Sequence, residues 1–293
     1  MSGLILAAFL AQSAAAVAPG AEIRALTVTL LDDKGGEVGD LAASDVAVAE
    51  NGVTRDVVSF KPDRRPLSVA ILVDSSAAVG SDYRLNVVEA VSGLVTRLPD
   101  GARYGLWTTG DRPARLLELT DDRQAAGQAL RRVAPQGGNY VLDGVAEVAA
   151  ELRKSAREGS RTAVVALTFN GPEFSSRDRY RAAEVGAKGV DLFLGVQVET
   201  GEADFEQRTN ISYVLDRLAA GSGGSYENVL SPMGVDSALR KASALLRAGY
   251  RLAYATVPDL KKRKLELTVA RPGTRVLLSA MTTRETAPAS AAP

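Results

Sequence analysis

The sequence predicts an α/β fold whose main domain is a doubly wound, mostly parallel β-sheet of the Rossmann-like kind, with a small β-sandwich built from the two flanks. Two observations lead to this prediction. Between residues 67 and 257, unbroken apolar runs alternate with segments of helical period, and strands that are apolar at every position are covered on both faces. The flanking segments instead alternate apolar and polar residues around Gly- and Asn-containing turns, which is typical of half-buried antiparallel strands.

The expected elements follow in chain order. Apolar runs predict strands at 67–73, 163–169, 190–198 and 250–257, while Leu85, Val88, Val95 and Leu98 recur at helical spacing. Strands 104–109 and 115–119 are separated by only four residues. Because such a connection is too short for a parallel crossover, this pair forms an antiparallel hairpin, with its reversed strand at the edge of the sheet.

The domain boundaries are expected where the pattern changes. We expect an N-terminal β flank at 21–62, the main domain at 67–257, a C-terminal β hairpin at 262–281, and a disordered tail at 285–293. An isolated hairpin is marginal in water. The two flanks are therefore predicted to pack together as one sandwich.

Residues 1–20 have the pattern of a signal peptide. An apolar centre at 4–10 is followed by small residues up to Ala18, which suggests cleavage near Ala16 or Ala18 and a secreted or periplasmic protein. The alternatives are an uncleaved anchor, for which the stretch is shorter than the roughly 20 residues of a span, and a disordered leader. No later segment is long and apolar enough to span a bilayer, so no membrane insertion of the mature chain is expected.

Composition restricts the chemistry. The 293 residues include 35 Lys and Arg against 35 Asp and Glu, with no His and no Cys. This removes thiolate nucleophiles, imidazole bases, zinc sites with nitrogen or sulfur ligands, and disulfides. The balanced charge argues against nucleic acid as a partner, and neither a phosphate-binding loop nor a nucleophile elbow occurs in the sequence. We therefore expect a protein that is not an enzyme.

The run Val-Ala-Ile-Leu-Val-Asp-Ser-Ser at 69–76 is a buried strand that ends in Asp-x-Ser, and it resembles the first strand of von Willebrand factor type A domains. The order of elements agrees, including a Gly137-Gly138 loop that opens a helix. The segments 41–52 and 58–60, and the segments 250–254, 265–269 and 271–273, resemble the flanks of bacterial secreted "VWFA-related" proteins. The resemblance implies an adhesion or protein-interaction module with an unidentified protein partner.

The resemblance also implies a metal-ion-dependent adhesion site, where loops beyond the strands hold Mg²⁺ or Mn²⁺. Open α/β sheets bind ligands at the same carboxyl edge. The family motif is Asp-x-Ser-x-Ser, then a Thr, then an Asp. Asp74 and Ser76 match this motif, whereas Ala78, Asn139 and Phe169 stand at the other positions.

These changes predict a degenerate site and binding without a metal. Asn139 still offers a carbonyl oxygen, but Phe169 removes a carboxylate that a hard dication needs. Carboxylates elsewhere are candidates to replace it, although no spacing requires this: Asp111, Asp143 and Asp178. The alternative is a weak Mg²⁺ or Mn²⁺ site formed by Asp74 and Ser76.

Structural roles compete with these functional ones. Asp74 and Ser76 are also suited to cap the following helix or to accept backbone N–H groups, and Asn139 to cap a helix at 140–153. Phe169 is either an exposed anchor for a partner, because aromatic residues dominate interface hot spots, or is tucked under its own loop. Phe174 and Tyr140 are weaker anchor candidates.

Overall fold

A computed structural model describes residues 21–81, 83–199, 205–258, 263–279 and 283–285. The chain forms two compact units. The flank unit consists of the segment up to Asp63 together with the segment from Ala248 onward, and the central unit is Arg64–Arg247. The expected signal peptide at 1–20 and residues 286–293 of the expected tail lie outside the described residues. Within the described residues, no helix combines the length and the apolar character needed to cross a bilayer.

The regular elements are as follows, in chain order. The strands are β1 (Glu22–Leu31), β2 (Val46–Glu50), β3 (Val53–Arg55), β4 (Val57–Pro62), β5 (Leu67–Val73), β6 (Arg103–Thr108), β7 (Ala114–Thr120), β8 (Arg161–Phe169), β9 (Leu192–Val198), β10 (Ser225–Val229), β11 (Gly249–Thr256), β12 (Leu265–Val269), β13 (Arg275–Leu278) and β14 (Thr283–Glu285). The α-helices are α1 (Glu89–Thr96), α2 (Ala125–Leu130), α3 (Val141–Ser155), α4 (Arg179–Gly186), α5 (Phe205–Ser222) and α6 (Val235–Arg247).

The central unit contains a six-stranded sheet in the order β10-β9-β8-β5-β6-β7. All neighbouring pairs are parallel except β6 and β7, which are antiparallel with β7 at the edge. The predicted mostly parallel sheet with one reversed edge strand is confirmed. Its strand order reverses around β5, which places the carboxyl end of β5 at the crevice where such sheets bind ligands.

The central strands are buried because helices cover both faces of the sheet. Every residue of β5 and β8 is buried. Ala70 and Leu72 of β5 pack in one core with α3, α4 and α5, while α1 and α6 pack against each other. Alternate residues of a strand point to opposite faces, so strands covered on both sides read as unbroken apolar runs.

The segment after β5 differs from the prediction. Residues Tyr83–Val88 form a π-helix, and α1 begins only at Glu89. Because a π-helix has wider turns than an α-helix, Leu85 does not share the buried face of Val88 and Val95 and is 77% exposed. The expectation that Leu85 faces the core is wrong.

The flank unit contains two sheets. One has the order β13-β1-β11-β4, with β14 also paired to β1, and the other has the order β12-β2-β3. Apolar side chains from both sheets meet in one core that includes Leu26, Val28, Val48, Leu252 and Tyr254.

Two expectations about the C-terminal segments are wrong. β11 was expected to end the main domain at 257, but it pairs with β1 and β4 in the flank unit, and the central unit ends at Arg247. The segments expected to form a hairpin with each other, β12 and β13, pair instead with β2 and β1. Both faces of β11 are buried, with Leu252 in one core and Ala253 in another. An apolar run therefore does not identify the sheet that it joins.

The start of the expected tail also differs from the prediction. Glu285, expected in the tail, ends β14.

A buried carboxylate links the strands of the flank unit. Glu50, at the end of β2, is 0% exposed and accepts hydrogen bonds from Tyr254 Oη at 3.0 Å, Arg263 Nη1 at 2.6 Å, Arg55 Nε at 3.2 Å and the Thr256 hydroxyl. Burial by itself would raise the pKa of Glu50, but the hydrogen bonds from Thr256, Arg263 and Tyr254 and the charge of Arg263 hold the pKa below its usual value.

This network predicts an acid-dependent loss of stability. Because the pKa of Glu50 is lower in the folded chain, its stabilisation is complete above the usual value of 4.5 and is lost as the pH falls through the folded-state value. We expect Glu50→Gln to lower the free energy of unfolding by about 1–3 kcal/mol at pH 7 and by less at pH 3, as measured by urea unfolding. The exposed Glu266→Gln is the control and should leave the midpoint unchanged. An identical pH dependence of Glu50→Gln and the wild type would contradict this role.

Candidate functional site

Asp74 lies at the carboxyl end of β5 and is 0% exposed. Its Oδ1 accepts the backbone N–H of Ser76 at 2.8 Å. Its Oδ2 accepts from the backbone N–H of Phe169 at 2.8 Å, the Asn139 Nδ2 at 2.8 Å and the Thr168 hydroxyl at 3.2 Å. The carboxylate therefore connects the ends of β5 and β8 with the loop before α3.

Asn139 contacts Asp74 with its amide nitrogen and not with its carbonyl oxygen. Besides the bond to Asp74, Nδ2 donates to the Thr168 hydroxyl at 2.7 Å and lies 3.5 Å from the Phe169 carbonyl oxygen. The expected role of Asn139 as a helix cap is wrong, because the N-cap of α3 is Tyr140. The side chain of Asn139 points instead into the buried cluster.

Ser76 and Phe169 are also buried at this edge. The Ser76 backbone N–H supports Asp74, as the structural interpretation predicted, but its buried hydroxyl makes no hydrogen bond within the described residues. The same holds for Asn139 Oδ1 and the hydroxyl of Thr109. Phe169 is 0% exposed, so the interpretation of its ring as a surface anchor is wrong and only its backbone takes part in the cluster.

Backbone hydrogen bonds join the loops over this cluster. The Asp74 loop (residues 74–80) accepts from Gln136 N at 2.9 Å and donates from Ala77 N to Gly137 O at 3.0 Å. Asn139 N donates to Pro172 O at 3.0 Å, and Phe174 N donates to Asn139 O at 2.8 Å. Three chain segments are thereby bonded side by side, and they exclude solvent from Asp74.

Close packing between these loops requires glycine. A Cβ on Gly138 would lie 2.1 Å from Cδ2 of Phe174, and Gly137 has a φ of +68° with the Asp111 carboxylate against it. A Cβ on Gly171 would lie 2.4 Å from the Cβ of Ala78. Ala78, which stands where the family has its second Ser, thus packs against the loop after β8.

Burial shapes the electrostatics of the cluster. Burial raises the pKa of the Asp74 carboxyl above its usual value, while the N–H groups of Phe169 and Ser76 act in the opposite direction. Burial and the nearby charge of Asp74 also raise the pKa of Tyr83, whose buried hydroxyl has no hydrogen-bond partner within the described residues. The donors to Asp74 are neutral groups.

The candidate replacement carboxylates do not join Asp74. Asp143 accepts from Ser176 N at 2.8 Å and from Arg177 Nη1 at 2.7 Å, and these bonds hold its pKa below the usual value against the effect of burial. Asp178 caps α4 by accepting from the N–H groups of Tyr180 and Arg181. Asp111 is exposed and lies against Gly137.

Few charged ligands for a divalent cation lie at this edge of the described central unit. Hard dications need several oxygen ligands, with carboxylates to offset the charge. Here one carboxylate is present, and its Oδ2 already accepts hydrogen bonds from three donors. Among the described residues, no group of three or more Asp, Glu, His or Cys side chains is placed to hold a metal.

One member of the cluster was missed from the sequence. Thr168 is 0% exposed and is the polar position near the end of β8, after the apolar run Ala163–Leu167. A polar side chain at the carboxyl end of a buried strand, one residue before Phe169, was the available signal. The glycines that allow the loops to meet gave no comparable signal, because their contacts are distant in sequence.

Large apolar side chains are exposed on the segments that follow the parallel strands. Phe174 is 56% exposed, and its ring centroid lies 6.2 Å from that of half-buried Tyr140. The central unit, as far as it is described, exposes these large apolar side chains: Leu85, Phe174, Tyr180, Phe205, Leu230 and Met233. Each of them follows the carboxyl end of β5, β8, β9 or β10.

A comparison of sequences finds a family match for part of the chain. Residues 69–171 match the sequence profile of the von Willebrand factor type A domain. The matched segment includes Asp74, Asn139 and Phe169. No curated protein gives a significant match to the chain.

Solved structures show the same fold. A von Willebrand factor type A protein from Catenulispora acidiphila superposes with a TM-score of 0.53 at 12% identity, covering 91% of this chain and 74% of that one. Proximal thread matrix protein 1 from the mussel byssus, in a structure described as having a zinc-occupied MIDAS motif, gives a TM-score of 0.51 at 18% identity, covering 69% of this chain and 50% of that one. At these identities the likeness concerns the fold.

Proposed function

We propose that the region matching the von Willebrand factor type A domain is an exported, non-enzymatic protein-binding module that binds its partner without a divalent cation. The observation that carries the proposal is the position of the exposed apolar side chains. The six large apolar residues that the described central unit exposes all follow carboxyl ends of its parallel strands. Contiguous exposed apolar patches mark interaction sites, and the shared position of these residues after the strands supports such a surface at this edge.

Phe174 is the best-prepared anchor on this face. Its backbone N–H is bonded to Asn139 O, and the two residues after it are fixed through Ser175 Oγ, which accepts from Asp143 N at 2.9 Å, and Ser176 N, which donates to Asp143. A segment whose backbone is already ordered loses little conformational entropy on binding. Aromatic residues are also enriched among interface hot spots.

The buried cluster supports binding without a cation and without catalysis. In the family's adhesion site, an open coordination position receives an acidic residue of the partner. Here Asp74, Ser76, Asn139 and Phe169 are each 0–1% exposed, so a partner cannot reach these side chains in this conformation. A substrate would meet the same obstacle, and the chain has neither His nor Cys to act as a base or nucleophile. The alternative is a weak Mg²⁺ or Mn²⁺ site at Asp74 and Ser76.

Export is proposed from the sequence of residues 1–18, which have an apolar centre and a small-residue end. If the segment is a cleaved signal peptide, N-terminal sequencing of the native protein should give a start shortly after Ala16 or Ala18. A mature chain that begins at Met1 would contradict cleavage.

We expect no shift in melting temperature when Mg²⁺ or Mn²⁺ is exchanged for a chelator. A site of millimolar affinity at tenfold excess cation would stabilise the fold by about 1.4 kcal/mol, which raises the melting temperature by several degrees in a domain of this size. Differential scanning fluorimetry measures this directly. A reproducible rise with Mn²⁺ would favour the alternative site.

We expect Phe174→Ser to lower the affinity for the physiological partner by about thirtyfold, or about 2 kcal/mol, because a hot-spot side chain is removed from the surface. A pull-down from the envelope fraction of the host identifies the protein captured by the wild type, and titration with that protein gives the affinity.

The matched control for this test is Val53→Ser, which changes a side chain that is 54% exposed in the flank unit. It should retain the captured protein at wild-type affinity. Equal binding by wild type and Phe174→Ser would place the binding face elsewhere.

A further inference from the structure

Among the described residues, no positively charged side chain donates a hydrogen bond to the buried Asp74 carboxylate. It is 0% exposed, and its hydrogen-bond donors are two backbone N–H groups, an amide and a hydroxyl. An uncompensated buried charge is strongly destabilising, and fixed donors reduce this cost. One of these donors also contacts two further oxygens of the cluster.

That donor is the amide nitrogen of Asn139. Nδ2 lies 2.8 Å from a carboxylate oxygen of Asp74 and 2.7 Å from the Thr168 hydroxyl. The Phe169 carbonyl oxygen is 3.5 Å away. Carboxylate, hydroxyl and carbonyl oxygens are the ligand types that a hard cation takes. The nitrogen thus lies among oxygens of the kind that would otherwise surround a metal ion.

The orientation of this amide follows from its neighbours. Turning the amide over would place Oδ1 beside the Asp74 carboxylate and replace an attractive N–H···O contact with a repulsive O···O contact. Asn139 is also held at both backbone ends, through its N–H to Pro172 O and its carbonyl oxygen from Phe174 N. The side chain is therefore fixed where it compensates Asp74.

We propose that the side-chain amide of Asn139 takes the place of the cation in the adhesion site of this domain. Its Nδ2 provides the positive end of a dipole to Asp74 and holds the ends of β5 and β8 together. Asn139 is a positioning residue in this role. The inference deepens the cation-independent binding proposed above, and it makes the closed arrangement of the loops independent of divalent ions.

The test is a substitution that changes the amide nitrogen to oxygen at nearly constant shape. Asn139→Asp places a second carboxylate beside Asp74, which creates repulsion and adds an oxygen ligand. Without divalent ions, its melting temperature should be lower than that of the wild type by about 5 °C or more. Addition of Mn²⁺ should recover much of this loss, while the wild type remains unresponsive.

Two further full-length variants make the test specific. Asn139→Leu keeps the size but removes both polar atoms, so it should be destabilised and should not respond to Mn²⁺. The exchanged double variant Asp74→Asn with Asn139→Asp again pairs one amide with one carboxylate. It should be more stable than Asn139→Asp alone and should show a smaller response to Mn²⁺.

Each outcome has a defined meaning. If Asn139→Asp fails to fold without Mn²⁺ but refolds from urea with it, or if only the exchanged variant folds, the proposal is supported. An Asn139→Asp variant as stable as the wild type, or an exchanged variant no better than Asn139→Asp, overturns it. A wild type stabilised by Mn²⁺ overturns the proposed cation independence as well. Because no partner is used, loss of binding in Phe174→Ser remains a separate question.

Discussion

The carboxyl edge of the central sheet depends on one interaction, the compensation of the buried Asp74 carboxylate. Its oxygens accept from the loop that follows β5, from the end of β8 and from Asn139 before α3. A carboxylate without solvent requires several donors at fixed positions, and these donors come from segments far apart in sequence. The loops must therefore converge on one point. Their convergence explains why glycine is needed at Gly137 and Gly138, where the carboxylate of Asp111 and the ring of Phe174 lie against the backbone.

The same edge is where an open α/β sheet ordinarily binds a ligand, because strand order reverses there and the loops diverge. In this chain, hydrogen bonds between loops close the crevice, with Asn139 bonded by its backbone to Pro172 and Phe174. The geometry that creates a ligand crevice is retained, but polar groups of the protein fill its interior. In the proposed function, interaction with other molecules uses the outer surface of the loops, where Phe174 is exposed.

The sequence was sufficient to predict features that depend on the residue pattern within a single strand, helix or connection. Unbroken apolar runs predicted β5 and β8, and the four-residue connection predicted the reversed edge strand. It was insufficient where the outcome depends on distant partners. The run that became β11 is apolar on both faces, so its pattern fitted either sheet. The amide of Asn139 offers a donor and an acceptor of similar size, and its orientation is set by Asp74 and Thr168, which are distant in sequence. Leu85 was misplaced because a π-helix changes the face on which a residue lies.

In the proposed function, the buried polar cluster and the exposed apolar side chains at this edge contribute differently to the free energy of binding. A metal-bound acidic residue concentrates affinity and specificity in one coordination bond, which requires an open ligand position and a dication balanced by several carboxylates. We propose that this arrangement is absent here, because the single carboxylate already accepts hydrogen bonds from neutral donors. In the proposed cation-independent mode, affinity comes from burying apolar area around a few exposed anchors. The exposures are consistent with that mode, since the polar cluster is 0–1% exposed while Phe174, Phe205 and Leu230 are 56–83% exposed. The buried cluster joins the segments after β5, before α3 and after β8, and Phe174 lies on the last of them.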